Sequence, residues 1–199
     1  MGAKRLVCGV GLNDVNYKAS KCSKINGKWV QIWRCPYHKT WVNILTRSYN
    51  PKEHLRNKSY SDCETCEEWH LFSNFKNWME QQDWQGKDID KDILVVGNKI
   101  YSPNTCVFVH SKVNGFVLDR ASARGEYMLG VSWSKAAGKM QAGVKNPFTG
   151  KREYLGLFTD ELQAHLTWKR RKHELACMLA DSDYVQDVRV ADALRQRYL

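Results

Sequence analysis

Apolar residues recur at helical spacing in two segments of the first half of the chain. One segment begins at Pro36 and runs to about Arg47, and the other covers Cys66–Met79. In each, the large side chains fall on one side of a helix with about 3.6 residues per turn, which predicts two amphipathic helices. Proline at a first helical position agrees with this, because its missing N–H has no helical partner there.

Elsewhere the pattern has the period of a β-strand. Asn26–Gly27 lies between strand-like residues, which predicts a hairpin turn. After about residue 125, three short segments are separated by turns rich in Gly, Asn and Pro, which predicts a three-stranded antiparallel sheet. The three segments are Gly130–Trp133, Lys139–Val144 and Glu153–Phe158.

Helices are expected after each strand-like region. Asp160, followed three residues later by Gln163, has the pattern of a capping box and predicts a helix to about Leu179. Residues 111–120 predict a short helix after an apolar strand, and residues 184–199 a last amphipathic helix. We therefore expect an α+β protein with segments 1–119, 120–180 and 181–199, in which residues 120–125 act as a linker.

Composition narrows the class of protein. The chain has 199 residues, of which 43% are hydrophobic, so it can bury a core. Its apolar runs are too short to cross a bilayer and no signal peptide is evident, so the expected location is the cytoplasm, with no membrane partner. Seven cysteines in a reducing compartment predict buried thiols or a metal site and not a disulfide framework.

Charge is distributed unevenly along the chain, whose net charge is +10. Residues 1–60 contain 12 basic and 2 acidic side chains, residues 61–119 contain 5 and 10, and residues 120–175 contain 11 and 5. Basic arms suit a polyanionic backbone, and a carboxylate-rich centre suits a divalent metal. Charged residues that only face solvent would produce the same distribution. Charge alone therefore does not decide between binding of a polyanion or metal and ordinary solvation.

The strand-and-helix segment after residue 128 has a family resemblance. Its sequence is LGVSWSKAAGKMQAGVKNPFTGKREYLGLFTDELQAHLTWKRRK. The order Gly-Val-x-Trp, an alternating second strand, Tyr-Leu-Gly-x-Phe and a helix with a central Ala resembles the DNA-binding domain of plant ethylene-response transcription factors and its phage relatives. The resemblance implies that the sheet enters the major groove of double-stranded DNA.

The groove-facing side chains that this resemblance implies are mostly cationic. Alternation along a strand places one face on the helix and leaves the other free to contact DNA. A structural sheet with soluble lysines is the alternative, and Trp133 is as readily a core residue. The candidates are Trp133, Lys135, Lys139, Gln141, Lys145, Lys151 and Arg152, with Tyr154 less certain.

Residues 34–114 have a second resemblance. The order is CPYHKTWVNILTRSY, then CETCEEWHLFSNFKNWM, then DIDKDILVVGNKIYSPNTCVFV and finally Asn114. This order is similar to that of phage proteins grouped with HNH homing endonucleases. It implies a central hairpin-and-helix module of the HNH, or His-Me finger, kind with flanking helices, acting in the cytoplasm of an infected bacterial cell.

An HNH site holds one divalent ion, Mg²⁺ or Mn²⁺, and a general base that activates water. The resemblance implies Asp90 as the acidic metal ligand and Asn114 or Asn104 as the late Asn, with Asp92 a neighbouring carboxylate. The usual base histidine is absent, and Lys91 occupies its place. The proposed catalytic residues are Asp90, Lys91, His110 and Asn114. The alternative for residues 90–92 is a solvated turn or a set of structural ion pairs.

A zinc site is a further hypothesis. Cys35 with His38, and Cys63 with Cys66, are closely spaced pairs that could together form a Cys₃His structural site. Cys106 could replace His38, and packing of apolar thiols in a core is the alternative.

Three functions follow from these features. The first is a DNA endonuclease in which the central module cuts and the terminal sheet selects the site. The second is a DNA-binding or host-modulating protein that has kept the scaffold and lost the chemistry. The third is an inhibitor that binds a host protein through the acidic middle segment.

Overall fold

The computed structural model describes residues 6–118 and 126–199, so the predicted linker at residues 120–125 lies outside the described residues. The chain forms two compact units. The first contains residues 6–85 and 89–108, and the second contains residues 86–88, 109–118 and 126–199. This division falls at residues 108/109, eleven residues before the predicted boundary at 119, and places the last segment, 181–199, in the second unit.

The first unit begins with the predicted hairpin, in which β1 (Ser20–Ile25) pairs with β2 (Lys28–Arg34). Asn26 and Gly27 have φ values of 49° and 78°. Two consecutive residues with positive φ are the requirement of a type I′ turn, for which Asn-Gly is strongly preferred. The prediction of this turn is confirmed.

Three helices follow in the first unit: α1 (Pro36–Tyr49), α2 (Pro51–Arg56) and α3 (Phe72–Glu80). The prediction of one helix over Cys66–Met79 is wrong, because a 3₁₀ turn at Glu67–His70 precedes α3 and Leu71 between them is extended. Leu12 bridges to Leu71: its N–H donates to the His70 carbonyl, and its own carbonyl accepts from the N–H of Phe72. These long-range bonds replace the helical ones.

The core of the first unit lies between α1 and α3. Trp41, Ile44 and Leu45 of α1 are fully buried, as are Trp69 and the phenylalanines of α3. The Trp41 indole N–H donates to the Trp69 carbonyl at 2.7 Å, so the polar atom of this large side chain is satisfied inside the core.

Short strands complete the first unit and lead into the second. β3 (Glu64–Thr65) pairs in parallel with β5 (Ile100–Tyr101). β4 (Asp88–Asp90) and β6 (Val107–Val109) form another two-stranded sheet, along which the chain passes from one unit to the other.

The second unit contains the predicted three-stranded antiparallel sheet, in the order β7 (Val131–Ser134), β8 (Lys139–Lys145) and β9 (Arg152–Phe158). α4 (Ser111–Val117) precedes it, and α5 (Glu161–Ala180) follows. The Asp160 side chain accepts from the N–H groups of Leu162 and Gln163, which confirms the predicted helix start.

Val131, Ala142 and Ala164 form a small core between this sheet and α5. The last helix, α6 (Val188–Gln196), packs on α5 and buries Val190, Ala191 and Leu194. The α+β class and the antiparallel sheet packed on a helix are therefore confirmed. No helix in the described ranges has the length and apolar character that a membrane span requires.

Candidate nucleic-acid interface

The strand register of the second unit decides which side chains share the face turned away from α5. Residues opposite each other in an antiparallel pair have their side chains on the same face. Gln141 is opposite Ser132 and Leu157, and Lys145 is opposite Arg152. We call this surface the outer face; it consists of Ser132, Ser134, Lys139, Gln141, Gly143, Lys145, Arg152, Tyr154 and Leu157.

A β-bulge makes this arrangement possible. The register shifts between Ala142 and Gly143, so that Ala142 is opposite Gly156 while Gly143 is opposite Tyr154. Because β9 has one extra residue, Leu155, at this point, the residues before it face the opposite way from that expected of regular alternation with Gly156–Phe158. Arg152 and Tyr154 thereby reach the outer face, and Glu153 is turned toward α5.

The outer face is cationic and has no carboxylate. Lys139, Lys145 and Arg152 are exposed, and Glu153 is the only acidic residue of the three strands. Glu153 is neutralised on the opposite face, where it accepts from the Arg171 side chain of α5 at 2.8 Å. This hydrogen bond, with one from Asn146, lowers the pKa of Glu153.

Two side chains give the outer face its shape. The guanidinium of Arg152 lies over Gly143, where a Cβ would come within 2.7 Å of the Arg152 Nε. The phenol of Tyr154 projects from the face and is 61% exposed. A flat cationic strip with an exposed aromatic ring can contact phosphates and base edges together.

Trp133 does not belong to this face. It is opposite Met140 and shares the alternation of Val131, so it lies on the side of the sheet that carries α5, although it is 45% exposed. The strand register therefore separates Trp133 from the other candidates for the groove face and favours the alternative, a residue on the helix side of the sheet. Lys135 and Lys151 lie in the turns beside the strands and are exposed, and Gln141 is half-buried on the outer face.

The β1–β2 hairpin of the first unit is a second basic and aromatic surface, which the sequence did not reveal because only its turn has a local signal. Its strands contain four cationic side chains and no carboxylate. Trp29 is 74% exposed. Trp29 is opposite Lys24 and Trp33 is opposite Lys21. Because Lys21 and Lys24 are three residues apart, these pairs lie on opposite faces of the ribbon.

Asp90 is held as the first residue of a turn. One carboxylate oxygen accepts from the N–H groups of Asp92 at 2.8 Å and Ile93 at 2.7 Å. Burial, and then the charge of Asp92, raise the pKa of Asp90, while the two backbone hydrogen bonds oppose the rise. These two hydrogen bonds hold the Asp90 side chain against its own turn.

Lys91 is 7% exposed, and its ammonium donates to Asp92 at 3.2 Å and to the Asn98 carbonyl at 3.0 Å. The Asn98 side chain donates back to the Lys91 carbonyl at 2.7 Å. These bonds close the loop between β4 and β5, so the contacts of Lys91 are structural.

The other predicted catalytic residues also have local partners. His110 caps α4: its Nδ1 accepts from the N–H of Lys112 at 3.1 Å. The Asn114 side chain donates to Asp88 at 3.4 Å. Both belong to the second unit, whereas Asp90, Asp92 and the exposed Asn104 belong to the first.

The cysteines proposed as zinc ligands have core contacts. Cys35 and Cys63 are members of the first unit's core, and the Cys63 thiol donates to the Ser59 carbonyl. Burial raises the pKa of Cys63 and Cys66, which opposes the thiolate form that zinc requires. His38 lies against Trp41 and Phe72, and burial lowers its pKa.

Among residues 6–118 and 126–199, no group of three or more His, Cys, Asp or Glu side chains could hold a metal ion. The predicted Mg²⁺ or Mn²⁺ site and the predicted zinc site therefore have no assembled ligand set in the described chain. Occupancy of either stays a prediction for metal analysis of the protein.

Comparison of the chain with protein-family models, with curated proteins and with solved structures finds no match. The functional assignment therefore depends on the outer face, the hairpin and the contacts of the predicted site residues.

Proposed function

We propose that this protein binds double-stranded DNA, and that the outer face of the β7–β9 sheet is its principal contact. The observation that carries the proposal is the separation of charge across this sheet: Lys139, Lys145 and Arg152 project from one face, and Glu153 is neutralised on the other. Cations spaced along a strip can neutralise successive phosphates of a duplex, and each neutralised phosphate releases a counterion. A carboxylate within the strip would oppose this by repelling the phosphates.

The β1–β2 hairpin supports the proposal as a second contact. The major groove of B-DNA admits a two-stranded β-ribbon, and both of its walls are lined by phosphates. A ribbon with a Trp–Lys pair on each face is suited to that setting, since the cations reach both walls.

Binding without cleavage is the form of the function that the contacts favour. The Asp90 carboxylate bonds to backbone N–H groups, and Lys91 closes a loop. The resemblance of residues 34–114 to phage HNH proteins supports a DNA-handling role for the first unit and makes metal-dependent nicking the function to test beside binding.

Fluorescence anisotropy with a short labelled duplex tests the proposal. Changing Lys139, Lys145 and Arg152 together to Gln should weaken binding by at least about tenfold, and should reduce the slope of log K against log salt by about 2.7, since each lost contact removes about 0.9. Arg170→Gln is the matched control, because Arg170 is an exposed arginine on α5 of the same unit. Wild-type affinity in the triple variant would overturn the proposal.

A nicking assay completes the test. Supercoiled plasmid is incubated with the protein and Mg²⁺ or Mn²⁺, and Asp90→Ala is run beside the wild type. We expect the plasmid to stay intact. Metal-dependent nicking that Asp90→Ala abolishes would instead assign the protein as an endonuclease of the HNH kind.

A further inference from the structure

A cavity in the second unit has a composition that the duplex-binding surface does not explain. It has a volume of about 470 Å³ and lies among α4, the turn between β8 and β9, and α5. Lys112, Lys145 and Lys172 line it, together with Phe116 and Phe148. Ligand pockets in proteins have volumes of about 300 to 1,000 Å³, so its size suits a small molecule.

Among the described residues, no carboxylate balances the three lysines. None of the described residues that line the cavity is Asp or Glu. The Lys112 ammonium donates to the Tyr184 hydroxyl and the Lys172 ammonium to the Phe116 carbonyl, each at 2.6 Å. Lys145 is exposed at the end of β8. Within the described part of the chain, none of the three forms an ion pair, so an anion entering the cavity would meet uncompensated positive charge.

Lys172 is the most constrained of the three. Its ammonium lies 3.4 Å from the centre of the Phe116 ring and 5.4 Å from that of Tyr198. Burial, and then the charge of Arg197, lower the pKa of Lys172 to about 8. Holding a cation at this position is costly, and a bound anion would offset the cost.

The turn that forms one wall is held in place by Asn146, which is itself buried. Its side-chain oxygen accepts from the N–H groups of Phe148 at 2.8 Å and Thr149 at 3.2 Å, and its amide donates to Glu153 at 2.6 Å. The backbone that carries Phe148 is therefore fixed before any ligand arrives, so little backbone entropy is lost on binding.

We propose that this cavity binds a nucleotide, with its phosphate group at Lys112, Lys145 and Lys172 and its base against the Phe148 ring. A bare phosphate would use the cations alone and leave the aromatic wall unoccupied, whereas a nucleotide uses both. Base–aromatic stacking accepts any base, because every base has a π-face.

The nucleotide has two sources. A free nucleotide enters from solution, and a nucleotide of a DNA strand enters from the outer face, because Lys145 belongs to both surfaces. The second source rests on the proposed duplex binding, and the first does not depend on it.

Isothermal titration calorimetry of the full chain with dAMP, deoxyadenosine and inorganic phosphate tests the proposal. We expect dAMP to bind at least about tenfold more tightly than either fragment, because each fragment lacks one set of contacts. Lys172→Gln and Phe148→Ala should each weaken dAMP binding, and Lys139→Gln, on the outer face but not lining the cavity, should leave it unchanged. If Lys172→Gln fails to fold, Lys112→Gln replaces it.

Proton uptake gives a readout specific to Lys172. Among the described residues, Lys112 from α4 and Lys145 from β8 line the same cavity, and the charge of Arg197, after α6, contributes to the lowered pKa of Lys172. At pH 8, close to the pKa of Lys172, a substantial fraction of its side chains is unprotonated in the free protein. Binding of dAMP should therefore take up a fraction of a proton, measured by titration in two buffers of different ionisation enthalpy, and Lys172→Gln should abolish the uptake.

Competition with duplex DNA separates the sources. If dAMP binds and leaves the affinity for duplex DNA unchanged, the site takes free nucleotides. If dAMP displaces the duplex, and Lys172→Gln weakens duplex binding, the site takes a nucleotide of the DNA strand. If dAMP does not bind and Lys172→Gln keeps full affinity for the duplex, the cavity proposal is wrong. That result would leave the proposed duplex binding unaffected, because the outer-face variants test it separately. Inorganic phosphate binding as tightly as dAMP overturns the nucleotide assignment.

Discussion

At the scale of single residues, the environment of a side chain decides its role. Lys91 and Lys145 are the same residue type, yet Lys91 is buried against Asp92 and Asn98 while Lys145 projects from a strand end. Asp90, which the resemblance to HNH proteins implied as a metal ligand, bonds to the backbone of its own turn.

The first prediction concerns Asp90. Asp90→Asn keeps an oxygen that can accept both backbone N–H bonds and removes the repulsion from Asp92, so the free energy of unfolding at neutral pH should fall by no more than about 0.5 kcal/mol. Asp90→Ala loses both bonds and should cost about 1 to 2 kcal/mol. Urea denaturation of the two variants measures the difference. A loss in Asp90→Asn as large as that in Asp90→Ala would contradict this role.

The same group gives a pH dependence. Because burial raises the pKa of Asp90, the folded state favours its protonated form. The stability that this contributes is fully present below the unfolded pKa of about 3.9 and is lost as pH rises through the folded value. The stability of Asp90→Asn relative to the wild type should therefore increase from acid to neutral pH in urea denaturation. A constant difference would exclude a raised pKa.

At the scale of elements, backbone irregularities determine which surface each side chain reaches. The bulge at Ala142–Gly143 brings Arg152 and Tyr154 to the outer face. Gly130, just before β7, has a φ of 78°, and a Cβ there would collide with the Trp168 indole of α5. The sheet and helix therefore approach closely at a position that only glycine can occupy.

Gly130→Ala tests this approach. The change combines an unfavourable positive φ with overpacking and should lower the free energy of unfolding by about 2 to 4 kcal/mol. Gly138→Ala is the matched control, since Gly138 also has a positive φ, 59°, but its Cβ would meet open space; it should cost about 1 kcal/mol. Thermal unfolding followed by circular dichroism compares them. Equal losses in the two variants would show that the contact with Trp168 is unimportant.

The hairpin gives a second prediction at this scale. Trp29→Ala should reduce duplex affinity about fivefold, the equivalent of about 1 kcal/mol, and change stability by less than about 0.5 kcal/mol because the side chain is exposed. Leu55→Ala is the control, since Leu55 is a comparably exposed apolar residue on α2, and it should alter neither quantity. Unchanged anisotropy binding in Trp29→Ala would remove the hairpin from the interface.

At the scale of the whole molecule, charge is the dominant property, and it is concentrated where the two proposed DNA contacts lie. The net charge is +10, with an excess of basic residues in segments 1–60 and 120–175. The acidic excess between them includes Asp90 and Asp92, whose contacts are local. The molecule therefore combines cationic surfaces with a carboxylate-rich segment in which Asp90 and Asp92 have structural contacts.

Salt dependence measures the cationic contribution as a whole. If the five cations on and beside the outer face each contact a phosphate, the slope of log K against log salt should be about −4.5 between 50 and 200 mM salt, and hairpin contacts would make it steeper. Anisotropy titrations at several salt concentrations measure the slope. A slope near zero would exclude a phosphate-dominated interface. The five are Lys135, Lys139, Lys145, Lys151 and Arg152.

Several elements could be predicted because their causes are local. The Asn26–Gly27 turn and the Asp160 cap depend on residues within three positions of each other, and their predictions are confirmed. The three strands and α5 have short-range periodicity between clear turn signals. For the same reason the sequence determined the α+β class and the cationic character of the sheet.

Tertiary structure decided what depends on residues far apart in the chain. The break at Leu71 results from bonds to Leu12, and the outer face results from a bulge that appears only when β8 and β9 pair. The cavity around Lys172 brings together α4, a strand turn and α5, which no local spacing relates. Alternation and motif spacing report which residues share a face of a regular element; they contain no information on irregular pairing or on which elements pack against each other.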